Sequence, residues 1–308
     1  MNDKNIKGHL ALFVAYAIFG LNTPISKAIF IDGEVSAMAL TFYRFAGASA
    51  LFWLFSLFLE KERIIPRDLF LLFTASLFGI LFNQMPFVVG LSLTSPIDAS
   101  VITTTVPILT MVLAALFLKE PITWLKILGV FLGAAGALLL ILNGNTAEQG
   151  TASVAGNLLC FLASLSFAIY LTAYKRLINR YSPTTLMKWM FLFATLCSLP
   201  LCWKDITTIN YAALPKNIYL DVAFVVVLAT FISYLLIPIG QKVLRSTVVA
   251  MYNYLQPLIA SLVAVVIGMD TFGWTKGIAA LLIFLGVYVV TQSKSRAQSE
   301  AEKAALSE

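Results

Sequence analysis

The sequence predicts an all-α integral membrane protein of ten transmembrane helices, arranged as two inverted five-helix repeats. Three observations lead there. Of 308 residues, 60% are hydrophobic and 12% charged, with a mean hydropathy of +0.89. An ordinary soluble domain carries about 25% charged residues, so a soluble enzyme is argued against. Apolar stretches of about 20 residues, enough for a helix to cross a hydrocarbon core of roughly 30 Å, recur along the chain. Sliding the chain against itself by 150 residues pairs Pro107 with Pro257, Glu120 with Asp270, Trp124 with Trp274, Lys126 with Lys276 and Gly136 with Gly286.

The first span is expected over residues 9–30, after Lys4 and Lys7. Ala15-Tyr16-Ala17 resembles a signal-peptide cleavage site, but only about six apolar residues precede it, so the span reads as uncleaved. Spans two and three, 37–59 and 69–90, flank the basic loop of Lys61, Arg63 and Arg67. Span four, 97–118, leads to Lys119, and span five, 124–142, carries the small-residue stripe Gly129, Gly133 and Gly136, which suits close packing on a neighbour such as span ten. Spans six to ten follow at 153–174, 184–202, 218–240, 247–268 and 274–292. Residues 1–142 thus form the first repeat, 143–152 a linker, 153–292 the second repeat and 293–308 a cytoplasmic tail.

Lys and Arg in short loops set orientation. The N-terminus, the tail and the loops on their side hold 16 of the 21 positive residues, the opposite loops hold Lys204, Lys216 and Lys276, and Lys27 and Arg44 fall within spans. Both termini are therefore expected in the cytoplasm, with the chain multi-pass in the cell (inner) membrane. The net charge of +6 does not indicate nucleic acid, because the basic residues form no cluster. Cys160, Cys197 and Cys202 are odd in number and lie in spans, so they read as lipid-facing or packing residues and not as a disulfide or metal set. One histidine, His9, and no phosphate-binding loop leave no metal site, no cofactor and no ATP-driven pump.

An odd number of spans per repeat inverts the second half, an arrangement common in secondary transporters. Phe19-Gly20-Leu21-Asn22 with Lys27, Arg44-Phe45, Thr94-Ser95 leading to Pro107, and Lys119-Glu120-Pro121 resemble the EamA-type members of the drug/metabolite transporter superfamily. The resemblance spans essentially the whole chain. It implies a ten-helix inverted-repeat fold with a central cavity and, commonly, export of amino acids or other small metabolites. The second copy of the first motif departs from the pattern, reading Ala168-Ile169-Tyr170.

Candidate substrate-binding groups sit at mid-span. Phe19, Asn22 and Ser26 share a helical face, as do Ser166, Tyr170 and Tyr174 on the matching span. Asn83, Gln84, Tyr234, Tyr252, Asn253 and Gln256 add donors and acceptors, while Thr103 to Thr105 and Ser233 stand in the same spans. Such groups also serve as plain interhelical hydrogen bonds. Uncompensated charges within spans cost about 2.5 to 3.5 kcal/mol each on insertion scales. Lys27 and Arg44 either snorkel outward to lipid, Asp32, Glu34 or Asp98, or act as an outer gate and a contact for a substrate anion, with Arg44 facing the cavity. Pro24, Pro86, Pro107, Pro238 and Pro257 kink their spans, and the repeat-related Pro107 and Pro257 are candidates for gating together with Lys27.

These readings predict a metabolite transporter and not an enzyme, with a small-molecule substrate and membrane lipid as partners, monomeric or weakly homodimeric. The alternatives are a multidrug or lipid-intermediate carrier of the same fold and an integral membrane enzyme.

Overall fold

A computed structural model describes residues 3–31, 35–93, 96–143, 154–211, 214–266 and 273–294, and among these every regular element is helical. The linker around 144–153 and the tail from 295 lie outside the described residues.

Helix α1 (Asp3–Ile31) leads into α2 (Ala37–Ser56). Ser36 starts α2 by accepting a hydrogen bond from the Ala39 N–H at 3.0 Å, which satisfies one of the amides that a helix start leaves open. A basic loop then precedes α3 (Pro66–Ser76), a π-helical turn (Leu77–Leu81) and α4 (Phe82–Leu93), which run as one rod. α5 (Pro96–Thr103) and α6 (Val106–Leu118) meet at a break, and α7 (Trp124–Asn143) closes the first half.

The second half repeats this plan. It comprises α8 (Val154–Ala173), the short α9 (Lys175–Arg180), α10 (Pro183–Thr207) begun by Ser182, and α11 (Lys216–Val226). A second π-helical turn (Val227–Ile232), α12 (Ser233–Val243), α13 (Ser246–Met251), a 3-10 turn (Tyr252–Tyr254), α14 (Leu255–Val266) and α15 (Trp274–Gln292) complete it. Among the described residues, seven helical stretches are long and apolar enough to cross a membrane: Ala37–Ser56, Pro66–Gly90, Val101–Leu118, Val154–Ala173, Pro183–Thr207, Lys216–Val243 and Trp274–Gln292. Trp124–Leu139 is a shorter apolar helix.

The offset of 150 read in the sequence recurs in the element bounds. α3 begins and ends 150 residues before α11, both π turns begin at matched positions, and α7 and α15 both start on the paired tryptophans. Pro107 and Pro257 do not bend continuous helices. Each lies in the first turn of a new one, directly after the interruptions at Thr104-Thr105 and Tyr252–Tyr254. A proline clashes with the carbonyl four residues back and offers no N–H, so the break falls just before it.

Packing between halves is reciprocal. A Cβ on Gly136 would meet the Ala279 carbonyl at 2.7 Å, and one on Gly286 would meet the Gly129 carbonyl at 2.6 Å. These are counterpart contacts, since 129 pairs with 279 and 136 with 286. The expected stripe of small residues on α7 therefore lies against α15, backbone to backbone. α2 and α10 pair likewise, with the Phe52 and Phe191 rings stacked 5.6 Å apart and the Lys188 ammonium 5.0 Å from the Trp53 ring. The three cysteines are free.

A leucine at position 286 has no room without separating α7 from α15. Gly286→Leu is expected to destabilise the detergent-solubilised protein by about 1 to 3 kcal/mol, read as a lower thermal midpoint. Gly277→Leu, where an added Cβ meets nothing within 4 Å, is expected to leave the midpoint unchanged.

Candidate functional site

The two halves touch at their own counterparts. The Gln84 side-chain amide donates to the Tyr234 hydroxyl at 2.8 Å, and the Tyr254 hydroxyl donates to the Thr104 carbonyl at 3.2 Å. Both pairs are separated by 150 residues, so each joins equivalent positions of the two halves. The second also receives one of the carbonyls freed at the α5–α6 break, and Gly133 makes room for the Tyr254 ring, which an added Cβ would approach to 2.5 Å.

Around Gln84 and Tyr234 the predicted residues converge from several helices. The Tyr234 ring lies 5.9 Å from Phe19 and 5.1 Å from Phe191. Arg44, half-buried and eight residues into α2, donates from Nε to the hydroxyl of Thr230, four residues before Tyr234, at 3.1 Å. Thr230 stands in the second π turn, whose opened ladder is satisfied locally: its hydroxyl donates to the Val225 carbonyl and that of Ser233 to Leu228. π turns of this kind frequently mark functional sites. Gln84 and Tyr234 are 6% and 7% exposed, and Gln84 Oε1 has no hydrogen-bond partner among the described residues.

A second group continues from this one along α1. Tyr16 packs edge-on against Phe19 at 5.6 Å and lies 6.2 Å from Tyr252, whose hydroxyl is 2.7 Å from His9 Nδ1. Asn253 lies beside the Tyr16 hydroxyl and accepts from Gln256 at 3.1 Å. That hydroxyl itself has no well-formed hydrogen bond. On the other flank, Tyr170 stacks between Phe167 and Tyr174 and donates to Gln241 at 3.4 Å. Gly79 in the first π turn accommodates the Tyr170 ring, 2.7 Å from an added Cβ, while Ser166 donates to the Phe78 carbonyl in that turn. The Gln241 amide nitrogen is a further unpartnered buried atom.

Other predicted residues do local work. Asn83 donates to the Ala163 carbonyl at 3.2 Å, a helix-to-helix bond, and Ser26 donates to Asn22 one turn away. The side chains of Lys27 and Pro24 lie outside the described residues. Tyr16, Thr230 and Gln241 were not singled out from the sequence. Thr230 lies four before Tyr234 and Tyr16 three before Phe19, and that helical spacing was the available signal.

At the end of the bundle rich in Lys and Arg, the halves are tied. Ser182 donates to Glu62 through both its N–H and its hydroxyl, at 3.0 and 2.8 Å. Asp68 accepts from Arg180 and Tyr181, each at 2.6 Å, and Glu120, paired with Lys126 at 2.9 Å, reaches toward Thr247. At the other end Ser36 donates to Asp205 at 2.7 Å. The serine that begins α2 thus meets Asp205 near the end of α10, and the serine that begins α10 meets Glu62 in the loop that follows α2. Beside the Ser36 end, a small apolar cavity of about 160 Å3 lies among Val35, Tyr43, Tyr211 and Ile218. It is remote in character from the polar cluster.

Residues 6–142 and 154–292 each match the model of the EamA-like transporter family. The uncharacterized transporter YyaM of Bacillus subtilis is 23% identical over 284 residues, covering 91% of this chain and 93% of its own. An uncharacterized transporter of Archaeoglobus fulgidus is 24% identical, covering 84% and 90%. The WAT1-related protein At2g40900 of Arabidopsis thaliana is 26% identical, covering 89% and 75%. One solved crystal structure superposes with a TM-score of 0.76 at 18% identity, covering 92% of this chain and 96% of its own, a likeness of fold alone.

Burial pushes the Glu62 carboxyl up, but the hydrogen bonds from Ser182 and Thr185 and the nearby Lys242 charge outweigh it and hold it below the usual 4.5. A folded-state value below the unfolded one stabilises the protein above the unfolded value, and that contribution disappears as pH falls through the folded one. Thermal stability is therefore expected to fall on acidification below about pH 4.5. Glu62→Gln should lower stability at pH 7 and flatten this dependence, as measured by melting curves across pH.

Proposed function

The chain belongs to the EamA-like transporter family, and from that premise we propose that it is a secondary transporter of small metabolites such as amino acids, working as an exporter by alternating access. Repeated apolar helices and relatives named as transporters make it a multi-pass membrane protein. The finer arrangement is part of the proposal. The helices pair into ten spans, α3 with α4, α5 with α6, α11 with α12 and α13 with α14 each making one. Five spans per half turn the second repeat over, and the charge asymmetry sets both termini in the cytoplasm, in the inner membrane.

The Gln84–Tyr234 pair is the observation that carries this reading. Residues that bond to their own counterparts lie where the halves meet, and here that place is a polar and aromatic cluster with unpartnered buried groups. A buried acceptor left open costs about 1 to 3 kcal/mol, a cost a bound substrate removes. Amides, hydroxyls and rings together suit a small amphipathic molecule. Rocking one half against the other about this site exposes it to each side in turn, with the ties at Glu62 and Asp68 closing the cytoplasmic side.

Purified protein in proteoliposomes is expected to carry at least one labelled amino acid from a panel of apolar and aromatic ones. Flux of none contradicts the amino-acid reading. Tyr234→Phe, which leaves Gln84 without its hydroxyl partner, is expected to cut flux at low substrate concentration about tenfold and to lower the melting temperature modestly, because the buried Gln84 N–H is left open.

A further inference from the structure

Arg44 is a half-buried cation set eight residues into an apolar helix, and among the described residues no carboxylate pairs with it. Among the described residues its hydrogen bond is the one from Nε to Thr230, and no carboxylate forms an ion pair with it. Thr230 is fully buried and already donates its proton to the Val225 carbonyl. Its oxygen is thus fixed as an acceptor, and it orients the guanidinium without touching its charge. The terminal nitrogens stay available to a ligand.

No balancing arrangement stands across the repeat. Counted from the helix start, the eighth residue of α2 is Arg44 and the eighth of α10 is Met190, which is buried. Thr230 corresponds to Ile80, also buried. The positive charge therefore has no counterpart at the matching position of the other half. A guanidinium at mid-span is costly to keep unpaired, and its planar fork matches a carboxylate.

We infer that Arg44, oriented by Thr230 beside Tyr234, is a carboxylate-binding subsite, so that the cargo carries a carboxylate joined to an apolar or aromatic tail. This deepens the transporter reading and rests on it for the word cargo. A single guanidinium suits a monoanionic group, and the Phe19 and Phe191 rings flanking Tyr234 supply the apolar surface for the tail. The open Gln84 Oε1, on the amide whose nitrogen donates to the Tyr234 hydroxyl, is an acceptor. It distinguishes two sources of the same carboxylate: an α-amino acid presents an ammonium to it, and a plain organic acid does not.

The test uses matched sets on the full-length protein in detergent: leucine, 4-methylpentanoate and leucinamide, and phenylalanine, 3-phenylpropanoate and phenylalaninamide. Ligand-induced thermal stabilisation is measured for each. The carboxylates of at least one set are expected to stabilise the protein and the amide of that set not to, a comparison that requires no variant to fold. Stabilisation by amino acid but not by plain acid assigns the zwitterion, and stabilisation by both assigns the carboxylate alone. Arg44→Gln should weaken the stabilising carboxylate about tenfold or more, with Arg44→Lys intermediate. Amides binding as well as acids, or no member binding, or inorganic phosphate stabilising where carboxylates do not, overturns the subsite. Proteoliposome flux separates the two readings. Arg44-dependent carboxylate binding without flux leaves the subsite and removes the transporter, whereas flux unaffected by Arg44→Gln does the reverse.

Discussion

Within hydrocarbon no water accepts the hydrogen bonds of a backbone that leaves its helix, so every interruption has to be satisfied by the protein itself. This constraint organises the molecule. Its helical ladder is opened at two π turns and at two breaks ahead of Pro107 and Pro257, and these lie at matched places in the halves. The loosened groups are met by Ser166 on Phe78, Ser233 on Leu228 and Tyr254 on Thr104. The first and the last of these cross from one half to the other. Irregular backbone therefore supplies part of the contact where the halves face each other.

From that arrangement the chemistry of the centre follows. The π turn that frees the Val225 carbonyl gives Thr230 its acceptor, and Thr230 in turn orients Arg44. The first π turn brings Gly79 under Tyr170, stacked in a row with Phe167 and Tyr174. Close packing of α7 on α15 through glycines, and of α2 on α10 through aromatic rings, holds the outer parts of each half firmly. Among the described residues the buried side chains left incompletely bonded are Tyr16, Gln84, Thr110 and Gln241. Under the proposed function, those of Tyr16, Gln84 and Gln241 are the polar atoms that a substrate would complete.

Much of this was legible in the chain. The offset of 150 placed Gln84 opposite Tyr234 before any contact was known, because rare residues such as Trp124 and Trp274 fixed the register. That the two bond each other was not legible, since a register does not say which positions meet. Pro107 and Pro257 announced irregular backbone but not its form: each ends one helix and starts another instead of bending a single one. The π turns carry no composition signal, being runs such as Leu-Phe-Gly-Ile-Leu that suit an ordinary helix equally well. Thr230 was hidden for the same reason, a lone hydroxyl in an apolar run. Tyr16 drew notice only as part of a small-residue signal and emerged as a fully buried ring beside Phe19.

The central claim is that the place where the halves meet is reached from both sides of the membrane in turn. Thiol accessibility tests it most directly, with Asn253→Cys introduced after Cys160, Cys197 and Cys202 have been replaced by serine. In sealed vesicles of either orientation, a membrane-impermeant thiol reagent is predicted to label position 253 from the outer face and from the inner face, and a bound substrate to slow both reactions. Labelling from one face only, under every condition of substrate and gradient, would contradict the account.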